Sequence, residues 1–178
     1  ESDVVIVGGG VAGAGAAFML ASRARVTLLE AESQCGYHTT GRSAASLTEN
    51  YGTGIIRRLA VASRPFLAEP PSGFSETPLI SPRGTVTIAR ADQLAALDAA
   101  LARAREFVPD MAPLPVDDLL ARMPILRRDY VAGATIEPRA MEVDVSALHQ
   151  GFLRGARRQG AAIVTDARVA SIARGSGL

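Results

Sequence analysis

The stretch Val4-Val5-Ile6-Val7-Gly8-Gly9-Gly10-Val11-Ala12-Gly13 constrains this chain more than any other. A short β-branched run ends in glycine and leads into Val11–Leu20, a series of small and apolar residues. The first part predicts a buried parallel strand. The second predicts a helix, although glycines near a helix start lower its propensity, so something must require them. Gly8, Gly10 and Gly13 stand in G-x-G-x-x-G spacing. In a strand–turn–helix unit Gly8 permits the tight turn, Gly10 lets a pyrophosphate approach the backbone, and Gly13 lets the helix lie close on the strand. The free amides and the positive end of the helix dipole then face the phosphates.

Taken alone the motif is weak, and its surroundings add two checks. Arg25-Val26-Thr27-Leu28-Leu29 predicts a second strand, and it ends at Glu30. That acid falls about 20 residues past the first glycine, where the ribose hydroxyls of an adenine nucleotide would sit. An acid there disfavours a ribose 2′-phosphate, which argues against NADP and leaves FAD and NAD. An NAD enzyme would usually continue into another helix and a third strand. This chain continues into Ala31–Gly52, AESQCGYHTTGRSAASLTENYG, a loop rich in Gly, Ser and Thr with one arginine, Arg42. Its hydroxyls, amides and Arg42 suit a second phosphate contact or the polar edge of a flavin. The plain alternative is a surface loop without a ligand.

Composition narrows the function classes. The chain has 178 residues, 48% hydrophobic and 21% charged, as in an ordinary globular protein. Nineteen basic against 18 acidic residues give a net charge of +1, no footing for nucleic-acid binding. The single cysteine, Cys35, excludes an internal disulfide framework and fits a reducing compartment. It reads as an inert thiol, since no resolving partner is near in sequence. No apolar run approaches the roughly 20 residues that span a bilayer. These features predict a cytoplasmic protein, or one held peripherally at a membrane. His38 and His149 lack the i,i+4 spacing of metal ligands, so no metal site is expected. His38 reads as a loop histidine bonded to backbone, with a flavin-edge contact as the alternative, and His149 as structural.

Further along, Gly54–Ala68 predicts a helix bent near Pro65, and Pro70–Gly73 a break. Thr85–Ala89 and Gly133–Glu137 predict strands. Asp92 is expected to cap a helix bearing Leu94, Leu97, Leu101 and Ala104, and Asp117 a short helix that stops before Pro124. Ser146–Arg158 predicts an amphipathic helix ending at Gly160, and Ala161–Thr165 a third strand of the nucleotide sheet. Ala167–Ala173 should begin an antiparallel excursion toward a hairpin turn at Gly175-Ser176-Gly177. A strand and turn without a partner, and a sheet of three strands, would leave backbone groups unpaired. The expectation is therefore the N-terminal half of a longer α/β protein, with its C-terminal half missing. Residues 1–50 and 140–178 would form the nucleotide-binding domain, and 51–139 part of an inserted substrate domain.

The glycine turn with Glu30, then GYHTTGRSAA, then MEVDVSALHQGFLRGARRQGAAIVTDARVASI resemble the D-amino-acid oxidase superfamily of FAD-dependent amine oxidoreductases. Within it, GRSAA, SPR, PILRRD and ALHQGFLRG are most similar to the D-arginine and D-amino-acid dehydrogenases, and the likeness extends over essentially the whole chain. The order and spacing of these motifs carry the resemblance. It implies a Rossmann-like FAD-binding domain of the glutathione-reductase type with an inserted α+β substrate domain. It also implies that Gly8, Gly10 and Gly13, with Ala12 beside them, contact the FAD pyrophosphate, and Glu30, next to Ala31, the ribose. Gly41, Arg42, Ser43 and Ala44 would lie along the pyrophosphate and the inner part of the cofactor, and Val169 would offer its backbone to the adenine. Thr48 would lie close to the isoalloxazine and Tyr51 at the substrate pocket.

The implied reaction is oxidation of the Cα–N bond of a small amine, most simply a D-amino acid, to an imine and then a 2-oxo acid and ammonia, with quinone or oxygen as electron acceptor. No catalytic acid–base residue is identified. A secondary amine or hydroxy acid as substrate, and a non-catalytic nucleotide-binding module, remain as alternatives. Two positions depart from the family. Ser46 replaces a histidine near the flavin. Gly84 and Thr85 follow Ser81-Pro82-Arg83 where a glutamate would engage a cationic side chain. The expectation is that neutral D-amino acids are favoured over D-arginine.

Overall fold

In the computed structural model, residues 1–174 are described. The first half contains β1 (Val4–Val7), α1 (Val11–Leu20), β2 (Val26–Leu29), β3 (Ser46–Leu47), α2 (Gly54–Ala68), β4 (Ile80–Pro82) and β5 (Thr85–Ala89). It is followed by α3 (Leu94–Ala104), β6 (Ala112–Pro113), α4 (Val116–Arg122), β7 (Gly133–Glu137), β8 (Met141–Val143), α5 (Val145–Arg158) and β9 (Ala162–Val164). The chain forms two compact units. Unit one comprises Glu1–Ala45, Pro70–Leu79 and the chain from Asp144 onward; unit two comprises Ser46–Glu69 and Ile80–Val143.

Unit one is built on a parallel sheet in the order β1-β2-β9. Val4 pairs with Val26 and Thr27 with Ala162, so the third strand enters from the far end of the sequence. Helices α1 and α5 pack on each other, and Ala17, Ala21, Val26, Leu28, Ala156 and Ala161 form the core between helices and sheet. Small residues let the helices approach closely. A Cβ on Gly155 would stand 2.4 Å from the Phe18 ring, and one on Gly151 2.3 Å from Phe74. Phe18, Phe74 and Phe152 meet with ring centroids 5.2–5.6 Å apart. This cluster draws Pro70–Leu79 into unit one, unlike the expected uninterrupted 51–139 block, and Arg154 donates to the Phe74 carbonyl. Helix α5 starts earlier than Ser146 because the Asp144 carboxylate caps it, accepting the Ala147 amide at 2.8 Å.

Unit two holds two antiparallel sheets, in the orders β3-β8-β4 and β5-β7-β6. One face of β5 and β7, through Val86, Ile88, Ala134 and Ile136, packs on Leu114, Leu119 and Val131. Pro65 lies within α2.

Several expectations need correction. Asp92 does not cap α3: it pairs with Arg90 in a 3₁₀ turn that precedes the helix. Asp117 lies in the first turn of α4, where it pairs with Arg128 rather than capping. Strand β1 is not buried on both faces, since Val5 and Val7 are 55% and 58% exposed. Ala167–Ala173 forms no strand: its exposure alternates only as far as Ala170, and no described strand pairs with it. The turn expected at Gly175-Ser176-Gly177 lies outside the described residues. Among the described residues, no helix is long and apolar enough to cross a membrane.

Candidate functional site

Between β1 and α1 the chain must reverse within three glycines. Gly8 takes φ +100°, a left-handed conformation that glycine adopts without strain. Gly13 is required by approach: a Cβ there would stand 2.0 Å from the Gly8 carbonyl oxygen. A Cβ on Gly8, by contrast, would meet nothing within 4 Å, so one side of the turn is open. Gly10 is the N-cap of α1, with no side-chain cap of its own. Ala12 lies exposed in the first helical turn. The Val11 amide donates to Thr40 Oγ1 at 3.0 Å, which ties the loop after β2 to the helix start.

Gly9 is held from both sides. Its N–H donates to Glu30 Oε2 at 2.7 Å, and its carbonyl accepts from His149 Nε2 at 2.8 Å. A carbonyl only accepts, so the proton of that imidazole is on Nε2. His149 is buried, and its ring also lies under Gly36, where a Cβ would come within 2.8 Å of it. Glu30 accepts a second amide, that of Glu32, at 3.0 Å. The amide of Glu32 first, then those of Gly9 and Ala31, hold its carboxyl below the ordinary carboxylate range, although partial burial pushes the other way. Ala31 is exposed beside it. Cys35 lies against Gly9, and burial, with the nearby Glu30 charge, pushes its thiol up, the direction of an unreactive cysteine.

The loop closes on itself through the Gly41 amide, which donates to the Gly36 carbonyl at 2.7 Å, and a 3₁₀ turn over Thr40–Arg42. Arg42 lies 5.6 Å from the Tyr37 ring centre and, with Ser43, His38 and Thr39, lines an open cavity of about 540 Å³. Ala44 is exposed at the end of this segment. His38 pairs with the Glu32 carboxylate at 2.8 Å rather than with backbone, unlike the loop histidine expected. Val169 is half-buried in an irregular segment, which the bond from the Ala167 amide to the Glu30 carbonyl holds beside the end of β2.

Unit two contains a smaller cavity of about 170 Å³, lined by Thr48, Asn50, Tyr51, Thr85, Thr87 and Glu137, with Met111 at its wall. Glu137 is only 3% exposed. It accepts the Thr48 hydroxyl at 2.7 Å and the Glu49 amide at 3.2 Å. Ser46 stands apart from this cavity, and its hydroxyl donates to the Met141 carbonyl. Glu49 is buried too, and pairs with Arg64 and Arg139. Sequence reasoning missed Glu49, Glu137, Thr40 and the contact of His149. Thr40, beside the expected Gly41–Ala44 segment, was the one that position could have suggested.

Residues 3–178 match the family described as DAO, FAD-dependent oxidoreductase. The chain belongs to that family, and FAD is its cofactor. Among solved structures, the FAD-dependent oxidoreductase chain is similar to L-α-glycerophosphate oxidase from Mycoplasma pneumoniae, a structure with FAD bound, at 18% identity and a TM-score of 0.83 over 98% of this chain and 47% of that one. Glycine oxidase from Geobacillus kaustophilus matches at 25% identity and TM-score 0.79, over 93% and 46% of the two chains. Glycine oxidase from Bacillus cereus matches at 24% and 0.81, over 99% and 50%. The chain thus spans about half the length of these structures. The glycine turn fits FAD on its own geometry: it is open at Gly8, too tight at Gly13 for a side chain, and followed by an acceptor carboxylate at the end of β2.

Proposed function

We propose that the protein containing this chain oxidises the Cα–N bond of a D-amino acid, giving an imine that water hydrolyses to a 2-oxo acid and ammonia. The observation that carries this reading is the unit-two cavity. Thr48, Tyr51 and Thr85, which the resemblance to amine oxidoreductases puts near the flavin and substrate, line one space although Thr85 is far from the other two in sequence. The similarity to glycine oxidases supports an amino acid as substrate.

In this reading unit one is the FAD-binding domain and unit two part of the substrate domain. Gly8, Gly10, Ala12 and Gly13 hold the pyrophosphate with backbone amides. Glu30, beside Ala31, accepts the ribose hydroxyls with the lone pairs that Gly9 and Glu32 leave free. Gly41, Arg42, Ser43 and Ala44 run along the inner phosphate, and Val169 meets the adenine through its backbone. FAD held by these residues would supply the hydride acceptor for the substrate Cα–N oxidation. Thr48 is oriented for its neighbourhood, since its proton goes to Glu137 and its oxygen accepts the Asn50 amide. Tyr51 forms an aromatic wall. Ser46 has no part in the cavity. A quinone or oxygen is the electron acceptor in this reading, and the cytoplasm the compartment.

The test uses purified full-length protein, mixed without air with a panel of D-amino acids, sarcosine and lactate. Flavin absorbance should be present and should bleach with D-amino acids. Bleaching by sarcosine or lactate alone would assign another substrate class, and a folded protein without flavin would remove the catalytic reading.

A further inference from the structure

Strand β7 pairs antiparallel with β5, with Thr85 opposite Glu137 and Thr87 opposite Thr135. Residues opposite each other in such a pair project to the same face, and alternate residues to the other. Val86, Ile88, Ala134 and Ile136 supply the apolar face. The other face is a polar quartet of Thr85, Thr87, Thr135 and Glu137. Two of its members have incomplete partners. The Thr135 hydroxyl is buried without a hydrogen-bond partner among the described residues. Glu137, also buried, accepts one bond on each oxygen, from the neutral Thr48 hydroxyl and Glu49 amide. Among the described residues it has no ion pair; Arg64 and Arg139 pair with Glu49 instead. A carboxylate offers about four lone-pair directions, so two bonds leave acceptor capacity unused. A buried carboxylate with neutral partners alone is costly, and a cation in the adjoining space would relieve that cost.

The adjoining space has the size and lining for one. At about 170 Å³ it is below the roughly 300–1,000 Å³ of whole-ligand pockets, so it suits one end of a substrate. Hydroxyls of Thr48, Thr85 and Thr87 and the Asn50 side chain can accept from a many-donor cation, and the Tyr51 ring can face it. We propose that Glu137 determines side-chain specificity: its carboxylate receives the guanidinium or ammonium group of a basic substrate in the cavity it shares with Thr48 and Thr85. This rests on the amine-oxidation reading above and reverses the expectation drawn from Thr85. The acid absent at position 85 is supplied directly across the strand pair.

The experiment compares the full-length holoprotein with its Glu137→Gln variant, which keeps shape and one acceptor but loses the charge. Anaerobic flavin reduction by D-arginine and D-leucine gives kcat/KM for each. The D-arginine to D-leucine ratio should exceed ten in the parent and fall at least tenfold in the variant, through D-arginine KM. An unchanged ratio in a variant of parental flavin content and melting temperature would reduce Glu137 to an anchor for the Thr48–Glu49 turn and overturn the proposal. Should the variant not fold, the parent still decides. N-butylguanidinium should perturb the bound-flavin spectrum at concentrations at least tenfold below those of neutral N-butylurea; equal potency would overturn the proposal. This binding test needs no turnover. If no amine reduces the flavin, the amine-oxidation reading fails while the cation preference is still measured.

Discussion

At the residue scale the Gly9 peptide shows how the turn is set. Glu30 takes its N–H, His149 takes its carbonyl, and Cys35 leaves no room for a side chain. Neither of the two peptide planes flanking Gly9 can rotate without breaking one of these bonds, so the neighbouring amides are aimed before any phosphate arrives. Glu30 shapes the turn, and under the proposed function it acts a second time as a ribose acceptor. Glu30→Gln should weaken FAD by about 1.5–3 kcal/mol, the usual worth of a hydrogen bond to a charged group. Titration of apoprotein with FAD measures it, and unchanged affinity would remove Glu30 from the site. The same residue fixes a pH dependence. Its folded carboxyl titrates below the ordinary value of 4.5, so ionised Glu30 favours the folded state. That contribution is fully present above the unfolded value and is lost as pH falls through the folded one. Acid-induced loss of stability below about pH 4.5 should be shallower in Glu30→Gln than in the parent; superimposable acid titrations would refute the linkage.

At the element scale unit one depends on how closely α1 and α5 approach. Gly155→Val would drive a branched side chain into the Phe18 ring, already within 2.4 Å of where a Cβ would be. Overpacking of this kind costs about 1–3 kcal/mol, which urea denaturation would register; a loss below about 0.5 kcal/mol would show that the Phe18 ring gives way freely. Elements of this type were legible in the sequence. β1, α1, α2, β5 and β7 have the predicted bounds, because each is a periodic or β-branched run closed by glycine, proline or a polar cluster. β3, β4, β6 and β8 were not legible. At two or three residues they carry no period, and their partners lie far along the chain, as in Leu47 with Met141. Asp92 and Asp117 look like caps in sequence, but each has an arginine in reach that competes for the carboxylate. The site divides the same way. The glycine turn is contiguous and could be read from spacing. Glu137 meets Thr48 and Thr85 only through strand pairing, and no spacing marks it.

At the scale of the whole molecule, the two units have separate cores but share one feature: each leaves an apolar face in water. In unit one, Val7, Leu29 and Val164 form one row across the parallel sheet, and Val5 extends the same face of β1. The opposite face carries the core beneath the helices. In unit two, Ile55, Ile56 and Leu59 are exposed along α2. Scattered exposed apolar residues need no explanation, but contiguous ones favour burial against another surface. The chain covers 46–50% of three of the structures it is similar to. For the chain prepared alone, a second copy offers such a surface. The 178-residue chain, prepared alone, should associate with rising concentration and scatter light with a mass above its 18.5 kDa. Val5→Thr with Val7→Thr keeps β-branching while making the sheet face polar, and should move the distribution toward monomer with unchanged circular dichroism. If the parent stays monomeric throughout the series, these faces do not drive association. If it associates and the double variant associates equally, the sheet face is not the contact.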